Sequence, residues 1–148
     1  MIRIICVGNL KEKYLSEACN EYLKRISKYE KIEIVELKEN NNPNIQTALE
    51  EERKDIEKHI KGYSILLAIK GEQLTSVQLS NKIEEIMLNG NSSISFIIGS
   101  SCGTSPNLIC DYKLSFSKMT FPHQLTRVIL LEQIYRAFSI LHNTPYHK

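Results

Sequence analysis

The chain has 148 residues, of which 42% are hydrophobic and 24% are charged, and its formal net charge is +2. This length predicts one domain over 1–148 with one core, and the composition is that of an ordinary globular protein. No apolar run approaches the roughly 20 residues of a membrane span. The opening MIRIICVGNL lacks the cleavage pattern of a signal peptide. We therefore expect a cytoplasmic protein without a membrane segment.

Four cysteines are scattered along the chain, and none belongs to a C-x-x-C pair or lies at metal-ligand spacing from a histidine. The sequence therefore predicts no metal site. Cys6 falls in an apolar strand pattern and Cys19 on the apolar stripe of a helix, so we expect both to be reduced thiols in the core.

The first half of the chain alternates strand and helix patterns. A nearly continuous apolar run at 2–7, closed by Gly8, predicts a strand that is covered on both faces. The elements predicted after it are an amphipathic helix at 14–29, a strand at 32–37, an asparagine-rich loop at 40–44 and a charged helix at 45–60.

The outer face of the first predicted helix is rich in cations. They could meet phosphates, but four glutamates are interleaved with them, and this mixture favours a solvated face. The cations are Lys11, Lys13, Lys24, Arg25, Lys28 and Lys31.

The second half continues the alternation. Thr75 or Ser76 is a suitable N-cap for a helix that Asn89-Gly90-Asn91 ends. The other predicted elements are a strand at 64–69 that ends in Lys70-Gly71-Glu72, a strand at 93–98, a short helical turn at 107–110, a strand at 114–116 and a long helix that opens at 121–123. This order predicts an α/β fold, with a mainly parallel sheet and helices on both faces.

Three strand exits, which are the segments that directly follow strands, look suited to a ligand: 67–71, 98–103 and 116–121. In parallel sheets ligands bind beyond the carboxyl ends of the strands, and glycines at two of these exits let the backbone approach a ligand closely. Neither G-x-G-x-x-G nor a P-loop is present. We therefore predict a nucleotide-like ligand that is held in another way.

Several segments together resemble one known family. They are LSFSKMTFPHQ at 114–124, Arg127, EQ at 132–133, YRA at 135–137, the terminal YHK at 146–148, VGNLKEKY at 7–14 and FIIG at 96–99. Over the whole chain this pattern is similar to the ribosomal RNA large subunit methyltransferase H family of the SPOUT superfamily. The resemblance implies a C-terminal trefoil knot, which the rule against knotted chains would not have suggested. It also implies a homodimer.

The same resemblance implies S-adenosylmethionine as cofactor and, as reaction, methylation of N3 of a pseudouridine in helix 69 of 23S rRNA on assembled ribosomes. The implied cofactor-binding residues are Leu67, Gly99, Phe116, Ser117, Lys118, Met119, Thr120 and Phe121. They coincide with the three strand exits. The chain departs from the family pattern at Ser100 and Cys102, where glycine and asparagine are usual.

A sulfonium methyl group is already activated, so the protein must align donor and acceptor, exclude water and manage the imide proton of N3. The candidate catalytic residues are His147, Tyr146, Arg136 and His123. Arg127 and Arg136 also suit contacts with phosphates or base edges. Alternatively, Arg136 pairs along the helix with Glu132, and His123 only begins that helix.

The last predicted helix has two apolar stripes. One contains Val128, Leu131, Tyr135 and Phe138, and the other contains Leu130, Ile134, Ala137 and Leu141. We expect one stripe to face the sheet and the other a partner helix in a homodimer, in which the tail of one subunit completes the site of the other. Burial of both stripes within one chain is the alternative.

Two other functions are compatible with the sequence. The protein could be a ribosome-associated RNA-binding module without catalysis, which would use the basic tail and the first helix for contacts with phosphates. It could also be a related methyltransferase that acts on tRNA.

Overall fold

The computed structural model describes residues 1–148, which form one five-stranded sheet with four helices. The strands are β1 Ile2–Val7, β2 Ile32–Leu37, β3 Tyr63–Gln73, β4 Ile94–Ile98 and β5 Tyr112–Ser115, and the helices are α1 Lys13–Ile26, α2 Ile45–His59, α3 Ser76–Leu88 and α4 His123–Leu141. All strand pairs are parallel, and their order across the sheet is β2-β1-β4-β3-β5. The predicted α/β fold with a parallel sheet is confirmed.

The sheet has helices on both faces, as predicted. On one face α1, α3 and α4 cover the larger core, in which Ile4, Phe96 and Ile134 are fully buried. On the other face Ile56 of α2 and Leu108 form a smaller core with strand side chains that point to that side of the sheet, such as Ile5, Leu66 and Ile97. Strands covered on both faces are apolar at nearly every position, and this explains the apolar runs of β1 and β4, which only Arg3 and Ser95 interrupt.

Local sequence signals set the start of α3. Thr75 forms a capping box with Gln78: its hydroxyl accepts from the Gln78 amide, and the Gln78 side chain accepts from the Thr75 amide at 2.9 Å. These bonds satisfy two backbone donors that the first turn of a helix leaves unpaired. Of the two N-caps that the sequence allowed, the structure uses Thr75.

Helix α4 lies between α1 and α3, and its apolar surface is covered within one chain. Leu131 and Phe138 of one stripe and Leu130 and Ile134 of the other belong to the same core. The prediction that one stripe faces a partner helix is therefore wrong. Periodicity shows that a helix face is apolar but not what covers it, and here two neighbouring helices do so.

The predicted helical turn at 107–110 is also wrong. The segment forms a turn in which the amide of Leu108 donates to the carbonyl of Ser105 at 3.1 Å. The Ser105 hydroxyl also accepts from the Asn107 amide at 3.1 Å. β5 begins at Tyr112, so too few residues remain to extend one turn into a helix.

β3 does not end at Ile69, as predicted, but continues to Gln73 through a bulge. Leu67 and Glu72 both pair with Leu114 of β5, so 68–71 are extra residues in the ladder. At Gly71 a side chain would not fit, because an added Cβ would lie 2.7 Å from the carbonyl carbon of Lys113. The bulge thus turns the predicted strand exit at 67–71 into a protruding wall beside β5.

Substitution of Gly71 by alanine should destabilise the protein by about 1–3 kcal/mol, the usual cost of overpacking. The new methyl group would collide with the backbone of β5, which cannot move as a flexible side chain could. Urea unfolding measures the change. Gln73→Ala, at an exposed position of the same strand, is the matched control and should change stability by less than about 0.5 kcal/mol. Equal stability of the two variants would contradict the close approach at Gly71.

Candidate functional site

A cavity of about 890 Å³ opens at the carboxyl edge of the sheet, which is the edge where all five strands end. Its walls are the β3 bulge, the loop after β4, the loop after β5 and the first turn of α4. The lining residues are Leu67, Ala68, Ile69, Lys70, 98–104, Leu114, Phe116, Ser117, 119–123 and Thr126. The three predicted strand exits therefore converge on one space.

Seven of the eight predicted cofactor residues line this cavity. They are Leu67, Gly99, Phe116, Ser117, Met119, Thr120 and Phe121. Lys118 is the exception, because its side chain is exposed and lies outside the lining. The structure thus brings the predicted set together, and their binding role stays a prediction.

The loop after β4 is a tight backbone turn. Ser100 and Gly103 exchange hydrogen bonds, with N to O distances of 3.1 and 2.9 Å. Gly103 has φ +88°, which favours glycine, and a Cβ on Gly99 would lie 2.5 Å from the Gly103 oxygen. Ser100 and Cys102, where the chain departs from the family pattern, lie within this turn. Their presence does not prevent it from closing.

Carboxylates outside the cavity hold this loop and its continuation. Glu39 accepts from the Ser101 hydroxyl at 2.8 Å, next to the exit of β2. Glu50 of α2 accepts from the Ser105 hydroxyl and from the Asn107 amide group at 2.8 Å. The hydrogen bond from Ser105, with those from Asn107 and Arg53, lowers the pKa of Glu50 to about 2. The segment from Gly99 to Asn107 is therefore fixed to α2 and β2.

The loop after β5 is organised by its own serines. The Ser115 hydroxyl donates to the carbonyl of Ser117 at 3.0 Å, and the Ser117 hydroxyl accepts from the Met119 amide at 3.0 Å. This turn leaves the Met119 side chain 73% exposed at the mouth of the cavity. All residues of the segment 116–121 except Lys118 line this wall of the cavity.

The cavity contains no carboxylate. Lys70 and His123 are the basic side chains in its lining, and Ser100, Ser117 and Thr104 are among the hydroxyl groups. A polar ligand with a negative group fits such a lining better than a bare cation does. No group of three or more histidine, cysteine, aspartate or glutamate side chains could hold a metal ion.

Of the four candidate catalytic residues, His123 alone lines the cavity. It is the first residue of α4, and its ring lies against Gly8, the residue after β1. A Cβ on Gly8 would lie 3.2 Å from the His123 Nε2 atom, and the φ of +106° also favours glycine there. The glycine at the exit of β1 thus leaves room for this imidazole.

Arg127 does not serve as a free cation for RNA. It is 3% exposed, and its guanidinium donates to the Glu36 carboxylate at 2.6 Å and to the Gly8 carbonyl at 3.1 Å. The predicted contact of Arg127 with phosphates or base edges is therefore wrong. Burial explains the difference, since this side chain connects the exits of β1 and β2 to α4 instead. The sequence shows an arginine but not which of its neighbours it meets.

Arg136, Tyr146 and His147 lie together in a second place, which we call the tail cluster, on the middle of α4. Arg136 donates to Glu132 at 2.9 and 2.6 Å, so the predicted alternative of a helical pair is present. The Tyr146 hydroxyl donates to the same carboxylate at 3.1 Å, and Arg136 also contacts His147 at 3.1 Å. Burial and the nearby Glu132 charge raise the pKa of Tyr146 to about 12.

The tail cluster and the cavity are separate within one chain. No tail-cluster residue lines the cavity, whereas Thr126 does. Ten residues of helix separate Thr126 from Arg136, a rise of about 15 Å. The exposed His147 ring is therefore positioned toward solvent and not toward its own cavity.

Sequence reasoning missed several residues of the site. Thr126 lines the cavity because α4 begins beside it, whereas Ile69 and Lys70, which lie in the predicted exit at 67–71, line it because of the bulge. Glu36 of β2 and Glu39, two residues beyond its end, belong to a strand exit that the sequence did not mark. A second cavity of about 320 Å³, which contains Ser76 and Gln133, adjoins the first behind Phe116 and Phe121.

None of the four helices combines the length and the hydropathy that a membrane span requires.

The fold and the site define an α/β protein with a parallel sheet and a ligand cavity at the carboxyl edge of that sheet. The family model for the SPOUT methyltransferases, described as "Predicted SPOUT methyltransferase", matches residues 1–147. The chain belongs to this family of methyltransferases.

Among curated relatives, the chain is similar to proteins named for one enzyme. It is 52% identical to a "Putative ribosomal RNA large subunit methyltransferase H" of Methanococcus maripaludis. It is 50% identical to proteins named "Ribosomal RNA large subunit methyltransferase H" of Ruminiclostridium cellulolyticum and Clostridium botulinum. Each match covers 99% of both chains. The family predicted from the sequence motifs is thereby confirmed.

Replacement of Arg127 by methionine should destabilise the fold by roughly 2–3 kcal/mol. This is less than the 3–5 kcal/mol of a fully buried pair, because Glu36 is 44% exposed. Arg127→Lys should lie between wild type and Arg127→Met, since one ammonium group cannot reproduce the fork that reaches both Glu36 and Gly8. Urea unfolding measures all three. Wild-type stability of Arg127→Met, together with weakened RNA binding, would restore the RNA role.

Proposed function

We propose that this protein transfers a methyl group from S-adenosylmethionine to N3 of a pseudouridine in helix 69 of 23S rRNA, on assembled ribosomes. Support comes first from one observation, the convergence of 67–70, 99–104 and 116–121 around one cavity in a SPOUT methyltransferase. Relatives named for methylation of large-subunit rRNA support the acceptor class. A cytoplasmic location follows from this acceptor.

The cavity fits the cofactor in size and in chemistry. Its volume lies within the roughly 300–1,000 Å³ of small-molecule sites. At Gly99 the loop leaves no room for a side chain, so its backbone can form a wall without one. The residues that would hold the cofactor are Leu67, Gly99 and the segment 116–121.

Bound S-adenosylmethionine supplies a methyl group that is already activated on a sulfonium. The protein must therefore align the methyl donor with the acceptor, exclude water and accept the imide proton of N3. Phe116, Phe121 and Leu67 give the cavity its apolar walls, which exclude water from the reacting atoms. His123 is the titratable ring in the wall that can accept or hold a proton near the acceptor.

The tail would act on the acceptor from a second subunit. Tyr146, His147 and Arg136 lie about 15 Å along α4 from the cavity wall. His147 is exposed to solvent, and Arg136 and Tyr146 are half-buried against Glu132. In a homodimer they can face the cavity of the partner. Exposed apolar side chains near the starts of α1 and α4, Tyr14 at 68% and Leu125 at 38%, suit a contact between two copies.

The reaction is tested by following a labelled methyl group from S-adenosylmethionine into two acceptors, intact 70S ribosomes that lack this modification and total tRNA. We expect incorporation into ribosomes and, in nucleoside mass spectra, one new N3-methylpseudouridine. Incorporation into tRNA alone would favour the related tRNA enzyme. Ribosome binding without any methylated nucleotide would favour a non-catalytic RNA-binding module.

Deletion of 146–148 should lower methyl transfer by roughly a hundredfold or more while most of the cofactor binding remains, because the tail cluster lies outside the cavity. Methyl incorporation and calorimetry measure the two effects. Deletion of Lys148 alone is the matched control, since it leaves the contacts of Tyr146 and His147 in place. Equal loss of both activities would show that the tail is structural.

A further inference from the structure

The carboxyl edge of the sheet carries a row of four exposed lysines, which we call the edge lysines. They are Lys11, Lys38, Lys70 and Lys118. Each lies at the exit of a different strand. Lys11 follows β1, Lys38 follows β2, Lys70 lies in the bulge of β3, and Lys118 follows β5. The exit of β4, in the middle of the row, instead supplies the backbone turn of the cavity.

None of the edge lysines has an ion-pair partner. The lysines that form ion pairs are Lys13, Lys54 and Lys58, and all of them pair within their own helices. The edge lysines therefore present free ammonium groups to solvent. Lys70 lines the cavity, Lys118 lies in the segment 116–121 that borders it, and Lys11 and Lys38 follow the two strands on the other side of β4.

Carboxylates at the same edge are mostly engaged. Glu36 pairs with the buried Arg127, Glu39 accepts from Ser101, and Glu72 accepts from the Tyr112 hydroxyl at 2.8 Å. The exception is Glu12, which precedes α1 and whose carboxylate makes no capping hydrogen bond to that helix. Only Glu36 is neutralised by a cation, and Glu12, Glu39 and Glu72 keep their negative charges. The four edge lysines and Arg127 together exceed these four carboxylates by one charge, and the cations without an ion-pair partner are the edge lysines.

The spacing of the row suits an extended polyanion. The strand order β2-β1-β4-β3-β5 places Lys38 and Lys118 at opposite ends of four strand intervals. At about 4.8 Å per interval the row spans roughly 19 Å. A single bound cofactor is too small to need cations across this width, whereas a nucleic-acid backbone carries repeated phosphates over such a distance.

We propose that the edge lysines bind the phosphate backbone of the RNA acceptor and lead the strand across the cavity mouth. This inference rests on the proposed function for its choice of RNA, and it adds where on the protein the RNA lies. Lys38 and Lys11 bind the RNA strand on the β2 side of the sheet, and Lys70 and Lys118 bind it on the β5 side. The base to be modified enters between them, above the loops that follow β4 and β5.

The test replaces the four edge lysines together by glutamine. Its matched control replaces four exposed, unpaired lysines at the opposite, amino edge: Lys24, Lys28, Lys31 and Lys61. Both variants lose the same charge. Binding is measured without cofactor, by fluorescence anisotropy with a labelled RNA stem–loop that carries pseudouridine in its loop, and with 50S subunits, over a range of salt concentrations.

We expect the edge variant to bind the RNA at least roughly tenfold more weakly and its salt slope to fall by about 3, since each phosphate contact contributes about 0.7–0.9. The control variant should keep a slope within about 1 of wild type. Equal losses in the two variants would overturn the proposal, because net charge and not position would then decide. An edge variant with wild-type binding would also overturn it.

A double variant separates this inference from the proposed function. Lys11 and Lys38 lie outside the cavity lining, so Lys11→Gln with Lys38→Gln should halve the loss in slope while calorimetry shows unchanged binding of S-adenosylmethionine. Methyl transfer by wild type with no effect of either edge variant on RNA binding would sink the inference and leave the reaction. Weakened RNA binding by the edge variants, together with a wild type that transfers no methyl group, would support the inference and contradict the proposed reaction.

Discussion

The pairing of β5 with β3 on both sides of a bulge is the constraint on which the site depends. Leu114 pairs with Leu67 below the bulge and with Glu72 above it. Gly71 lets the two backbones come this close, because any Cβ there would meet the β5 main chain. With β5 fixed in this way, the loop 116–121 faces the loop after β4 across one cavity. A straight β3 would have carried 68–71 away from that space.

Charges outside the cavity set its other walls. Arg127 connects the ends of β1 and β2 to the first turns of α4 and thereby fixes the position where His123 begins the helix. Glu39 and Glu50 hold the loop after β4 from β2 and α2. These groups do not line the cavity, and they bind neither substrate nor cofactor in our account. They keep its walls in place, and they leave the free lysines of the edge as the positive groups that face solvent.

Sequence patterns predicted the layers of the fold and the walls of the site, and they failed where the result depended on tertiary neighbours. Continuous apolar runs identified β1 and β4, because strands buried on both faces need them. Motifs placed the predicted cofactor residues, of which all but Lys118 line one cavity. Periodicity could not show that α1 and α3 cover α4. Lys70-Gly71-Glu72 read as a strand end because a bulge and an exit share the same residue types.

We propose that the three loops that converge at the carboxyl edge form a site for S-adenosylmethionine. Calorimetric titration of the purified protein with S-adenosylmethionine tests it most directly, with Gly99→Val as the paired variant whose side chain would collide with the turn. We expect saturable binding in the micromolar range to the wild type and loss of binding in the variant. Absence of binding to the folded wild type would contradict it.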